Sequence, residues 1–360
     1  MIAKILMIPF FVCLIFSCKI YGQSKFDFSG IDQFWKLYTQ LTNDEMPDSN
    51  EWSILFDTPG YNELIRKEFS KDFFIKYYSY AFMPSKQKEC KNELTKNHRK
   101  VQYLKHLISI KDKIDILKNY QNQLENDSTT ISDAIEMTKE YLPKNIQNNL
   151  ESVPIAFVFF GNDARGYSSI IIDFLFAAEN KELVKYFIAH EAYHFYRNKH
   201  LAFIIPDEAL KELTLLNTLN QLQAEGIADR IDKKNIFFNE GMMAKSNFAD
   251  RYKKHLANSV NIISQFDSLL ILISKEDTNQ AVYIDKFNSI IPMSGHPTGY
   301  FIANIISEEL GKNKLILDWG DPHAFFEKYN RVAKISKKGY PIISEEPINY
   351  IKKLQEKYSM

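Results

Sequence analysis

A mainly α fold with a small β-sheet, of the α+β kind, is what three features of the sequence predict. Apolar residues recur at three and four over most of 31–149, a short stretch over 155–176 is β-branched and aromatic instead, and helical spacing returns after residue 180. Hydrophobic residues make up 45% of the 360 and aromatics 14%, which is ample for a substantial core and argues against disorder. Lys plus Arg equals Asp plus Glu at 45 each, so no net field draws the chain to nucleic acid or to an anionic membrane surface.

The first element is a leader. Met1 to Lys4 is a short positive start, and 5–16 is apolar but too brief for a stable transmembrane helix, which reads as a secretory signal over 1–22. Two processing readings stand side by side. Ile15-Phe16-Ser17-Cys18 resembles a lipobox, with an untypical Phe16, and places a lipid anchor on Cys18; Tyr21-Gly22-Gln23 resembles a signal peptidase site cut after Gly22. Either way Cys90 is left without a partner and no internal disulfide forms. The expected location is exported, periplasmic or secreted, with the membrane reached only through a lipid on Cys18.

Region 24–150 is expected to be helical, with apolar rows such as Ile31, Phe34, Leu37 and Val101, Leu104, Leu107. Breaks are expected over 44–50, 58–60, 84–85 and 126–130. His98 and His106 have no acidic or histidine partner at ligand spacing and read as structural or surface residues. A second region, 151–360, opens on strands over 155–160 and 167–176, with turn residues over 161–166 between them. A helix over 180–199 follows, carrying Leu183, Phe187, His190 and His194 on its buried side. Pro206 then breaks the chain, and Asp207 is placed to cap a helix over 208–231. One long helix is expected over 241–274, with His255 exposed. Residues 293–300 read as a turn rich in Gly and Pro, leading into an apolar helix from Phe301; later segments read as packing.

Within this frame one spacing dictates chemistry. His190 and His194, four apart on a helix, project from one face and reach a single metal ion, while Glu191 beside the first reaches a water at that ion. This is the H-E-x-x-H arrangement of zinc metalloproteases. With eight histidines in 360 residues it arises by chance in about one such chain in a hundred, so a second feature is needed. Gln223-Ala224-Glu225-Gly226-Ile227-Ala228-Asp229 supplies one. A carboxylate commonly completes a zinc site after two histidines, leaving the fourth position to water or substrate. Glu225 is the candidate third ligand, and Asp229, one turn on, is the candidate acceptor for the remaining ring N–H of His190. His200 is a rival third ligand at the metzincin spacing, H-E-x-x-H-x-x-G-x-x-H. Arg197 occupies the glycine position, however, and a helix that continues swings residue 200 away from the shared face.

H-E-A-Y-H followed by E-G-I-A-D resembles the gluzincin metallopeptidases, in particular uncharacterised bacterial zinc-dependent peptidases that carry an E-G-x-A-[DE] element. The resemblance covers about residues 150–305. It implies a zincin-like catalytic core with the N-terminal helical region added to it, Zn2+ as cofactor, Glu191 as general base, and a strand bordering the cleft beside the metal helix. It also implies a downstream His or Tyr that donates to the oxyanion, a role whose loss typically costs about 100- to 1000-fold in rate. His296 and Tyr300 are the candidates, and His296 reads equally well as an ordinary turn residue. The expected activity is that of an exported peptidase acting on a peptide or protein substrate. Two alternatives stand beside it: a non-catalytic surface or binding protein that keeps zinc for structure, and a zinc hydrolase of non-peptide substrates.

Overall fold

A computed structural model describes residues 25–201, 210–238, 240–275, 278–317 and 319–358, and shows helices packed around one small sheet. The leader over 1–22 with Cys18, and the expected Asp207 cap, lie outside the described residues. The mainly helical α+β expectation holds.

The sheet has four strands: β1 (Phe26–Asp27), β2 (Ile155–Val158), β3 (Ala164–Gly166) and β4 (Ile170–Asp173). Their order is β1-β2-β4-β3; β1, β2 and β4 run parallel, and β3 pairs antiparallel with β4 at the edge. β2 and β4 are buried along their whole length, which is why they read as continuous apolar runs rather than as alternation. β1 is two residues long, too short for any periodicity, and it ties the start of the described chain to the sheet.

Two strand expectations are corrected. The turn expected over 161–166 ends in β3, and the strand expected over 167–176 stops after Asp173. Asp173 is the reason: its Oδ1 accepts the Phe176 N–H and starts the helix Phe174–Glu179, while its Oδ2 accepts the N–H groups of Phe160 and Gly161. The apolar run continues, but its backbone changes hands from sheet to helix.

The helices between Ser29 and Gln147 sit where the periodicity places them. The break over 44–50 ends in a capping box, with Asp48 accepting from the Glu51 N–H and Glu51 accepting from the Asp48 N–H. The principal apolar cluster runs from Phe28 to Leu354, so the early helices and the later ones share one core. A smaller cluster around Phe237, Tyr252 and Tyr300 lies apart from it.

Later in the chain the helix with the paired histidines spans Val184–His200, and the next spans Lys211–Phe237, six residues past its expected end. The helix expected over 241–274 is instead two, Asn247–Ala257 and Ser259–Ser274, bent by 53°. The bend serves two cores at once: Tyr252 packs in the small cluster and Phe266 in the large one. His296 begins a helix, His296–Leu310, rather than lying in the turn before one. Ahead of it Met293, Ser294 and Gly295 are all left-handed, with φ of 50°, 54° and 93°, and this tight reversal is what sets the helix start.

His106 has a partner that sequence spacing does not show. Its Nε2 lies 2.8 Å from Asp173 Oδ1. Burial pushes the imidazole down, but the Asp173 carboxylate outweighs burial and holds it above its ordinary value. A group whose folded pKa is raised stabilises most fully below its unfolded pKa, about 6.5 for His, and loses that contribution as pH climbs through the folded value. The Tm deficit of His106→Gln should therefore be largest below about pH 6.5 and shrink above it. A deficit independent of pH would show that the charged pair contributes nothing.

Candidate metal centre

Two helices meet here because each is tied to the other. Arg197, buried on Val184–His200, donates from Nη2 to Asn220 Oδ1 and, at 3.0 Å, to Gln223 Oε1 on Lys211–Phe237. On its other side Lys211–Phe237 touches His296–Leu310 backbone to backbone. A Cβ on Gly226 would run into the Gly299 carbonyl and lie 2.8 Å from the Gly299 Cα; a Cβ on Gly299 would run into Leu222 O and lie 2.9 Å from Gly226 N. Glycine is needed at both positions for contact this close. The long helix is thus held between its neighbours, with Glu225 facing the histidines and His296 brought alongside.

Three donor atoms form a small triangle. His190 Nε2 and His194 Nε2 are 3.2 Å apart, His194 Nε2 is 3.2 Å from Glu225 Oε2, and His190 Nε2 is 3.4 Å from the same oxygen. Tetrahedral ligands at zinc bond lengths of about 2.0–2.1 Å stand about 3.3 Å apart, so the donor set and its size both fit zinc. One donor atom each from His190, Glu225, Asp229 and His296 also falls within 4.8 Å, a looser group. In that group Asp229 is already engaged by Tyr252, His296 and Lys233.

The electrostatics suit a cation. Burial and the Lys233 ammonium push His190 down, yet Asp232 and Glu225 outweigh them and hold it well above its ordinary value. Burial pushes Glu225 up, and His296, His194 and His190 outweigh that and hold it well below. In both cases the cluster favours positive charge among its carboxylates.

Behind the triangle the sequence expectation changes in detail. Asp229 Oδ1 is 3.7 Å from His190 Nδ1, beyond hydrogen-bond reach; Asp232 Oδ2 is the nearer carboxylate oxygen, at 3.3 Å, although the geometry does not close a hydrogen bond. Asp229 instead accepts from Tyr252 Oη at 2.7 Å and lies 2.9 Å from His296 Nδ1. Lys233 bridges the two aspartates, at 3.3 Å to Asp229 and 2.6 Å to Asp232. Sequence reading missed Asp232, Lys233 and Tyr252. The first two had a signal, since seven and eight residues past Glu225 is two turns along the same face; Tyr252 had none.

Glu191 is outside the triangle and against the edge strand. A Cβ on Gly166 of β3 would lie 2.6 Å from Glu191 Oε2 and 3.1 Å from its carbonyl oxygen. The strand can lie this near the helix because residue 166 has no side chain. β3, in the segment expected to be a turn, is thus the strand beside the histidine helix. Gly166, Glu191, His194, Glu225 and His296 line one cavity of about 970 Å³. Tyr300 is elsewhere: its ring stacks on Phe238 at 5.7 Å, edge-on to Tyr252, inside the small apolar cluster. His200 ends the unbroken helix, its ring 6.4 Å from that of Trp319 and away from the donor triangle.

A family model described as "Putative zinc dependent peptidase (DUF5700)" matches residues 52–338, about four fifths of the chain. The chain belongs to the DUF5700 family. No curated protein and no solved structure matches it. The DUF5700 match begins at Trp52, well before the 150–305 stretch of the gluzincin resemblance, so most of the early helical region belongs to the family pattern along with the metal centre.

Proposed function

We propose that this DUF5700 protein is a zinc peptidase of gluzincin type, with His190, His194 and Glu225 as ligands and Glu191 as general base. The observation that carries the reading is the donor triangle with edges of 3.2, 3.2 and 3.4 Å, beside a carboxylate that is not part of it. Zinc bound there supplies Lewis acidity, polarising the scissile carbonyl and bringing a water's pKa to about 7.

The remaining steps belong to the chain. Glu191 takes the proton of the attacking water and returns it to the leaving amine, which requires a carboxylate free of metal and facing the cavity. His296 has its Nδ1 held by Asp229; burial pushes its pKa down, but the Asp229 and Glu225 carboxylates outweigh burial and raise it. As the imidazolium it keeps Nε2–H as a donor for the oxygen on which negative charge grows. Asp232 stands at the His190 ring nitrogen that faces away from the triangle, the position from which a carboxylate orients a ligand histidine. The free edge of β3 offers main-chain groups to an extended substrate backbone. Export through the leader completes the proposal, with peptides or proteins outside the cytoplasm as substrates.

Metal analysis together with a mixed-peptide cleavage profile read by mass spectrometry tests it. About one zinc per chain is expected, with cleavage that a chelator abolishes and zinc restores. Zinc without cleavage of any peptide would leave the site structural or directed at another electrophile.

A further inference from the structure

The cavity at the metal centre does not end there. A second groove of about 670 Å³ adjoins it, and Arg251 and Met293 line both spaces. Its walls add His255, Asn258, Gln265 and Ser289. Arg251, His255, Asn258, Ile262 and Gln265 follow one another at four and three, so the groove runs along one face of the bent helix pair, across the 53° bend. The left-handed turn at Met293 and Ser294 stands between it and His296.

The groove's chemistry is one-sided. Among the described residues no aspartate or glutamate lines it, and its polar groups are a guanidinium, an imidazole, amides and a hydroxyl. The other Arg and Lys side chains of the main cavity are committed: Arg165 pairs with Glu68 and Asp163, Lys233 with Asp229 and Asp232, and Arg197 is buried, donating to Asn220 and Gln223. Arg251 is exposed, lies over the Phe248 ring at 5.2 Å, and makes no ion pair with a described carboxylate. A guanidinium over an aromatic face, without a carboxylate partner, keeps N–H groups for a planar, bidentate anion.

We propose that this groove binds a carboxylate carried by the substrate a few residues from the bond cleaved, with Arg251 recognising it. The carboxylate is an acidic side chain or a free C-terminus. The inference rests on the peptidase reading above and gives that reading a substrate class.

The test uses the zinc-loaded protein and quenched fluorescent peptides. One set places a single Asp, against Asn, at each position of an amidated peptide; a second compares free with amidated C-termini. At one or two positions the acid should raise kcat/KM about tenfold or more, as a charge-assisted hydrogen bond does. Arg251→Gln should bring that ratio close to one, and Arg251→Lys should keep part of it. A gain in the first set assigns the side chain; a gain only in the second assigns the C-terminus. The same ratio in wild type and Arg251→Gln overturns the proposal.

Binding of the same peptides to Glu191→Gln, followed by fluorescence anisotropy, separates this inference from the peptidase reading. Tighter binding of acidic peptides that vanishes when Arg251→Gln is added supports the groove even if wild type hydrolyses nothing. Cleavage with no acid dependence refutes the groove and leaves the peptidase.

Discussion

Glu191→Gln is expected to lower peptide hydrolysis by about 100- to 10,000-fold, the range that general acid–base groups contribute, with zinc content unchanged. The geometry separates the two effects. Glu191 is not part of the donor triangle, and its carboxylate end lies against Gly166 on the edge strand. Glutamine has nearly the same shape, so it fits beside β3, but it cannot accept and return a proton. The measurement is kcat on a peptide taken from the cleavage profile, with zinc per chain determined on the same preparation. Hydrolysis at wild-type level would remove Glu191 from the mechanism, and loss of zinc would recast it as a ligand.

Gly299→Ala should be the most damaging small change away from the donor atoms. The added methyl meets Leu222 O and Gly226 N, both main-chain atoms inside the helix Lys211–Phe237, so no side chain can rotate out of its way. Overpacking usually costs about 1–3 kcal/mol, and contact with the main chain of the facing helix Lys211–Phe237, which no rotamer change relieves, places this case near the top of that range. A fall in Tm on the order of 4 °C follows for a protein of this size. Zinc affinity should fall as well, because Glu225 adjoins Gly226 and His296 lies one turn before Gly299. A Tm within about 1 °C of wild type, with undiminished zinc affinity, would show that the helix contact does not position the centre.

These two predictions draw on different kinds of information. The pairing of His190 with His194 and of Glu225 with Asp229 was legible because residues four apart share a helix face wherever the helix lies. The role of Gly226 is half legible: a residue with no side chain permits close helix packing wherever it stands, but the partner, Gly299, is set by the crossing of two helices. Asp232 and Lys233 were within reach of the same rule and were missed by stopping one turn short. Tyr252 and the His106–Asp173 pair had no signal at all, since the partners are 23 and 67 residues apart and meet only after folding.

Strand assignment shows the same division. The apolar runs of β2 and β4 were visible, whereas β3 was hidden in polar turn residues. A three-residue edge strand is made by its neighbour's hydrogen bonds and not by its own composition. Asp173 ended β4 early because a capping side chain outcompeted the propensity of Phe174, Leu175 and Phe176 for sheet.

Local periodicity thus settled the fold class, the helix that carries the histidines and the face that carries Glu225, because helix geometry repeats without reference to anything outside the helix. Which carboxylate faces which imidazole, which strand borders the cavity, and where the helix of His296 begins were settled by packing between distant segments. A one-dimensional spacing rule contains no information about those meetings.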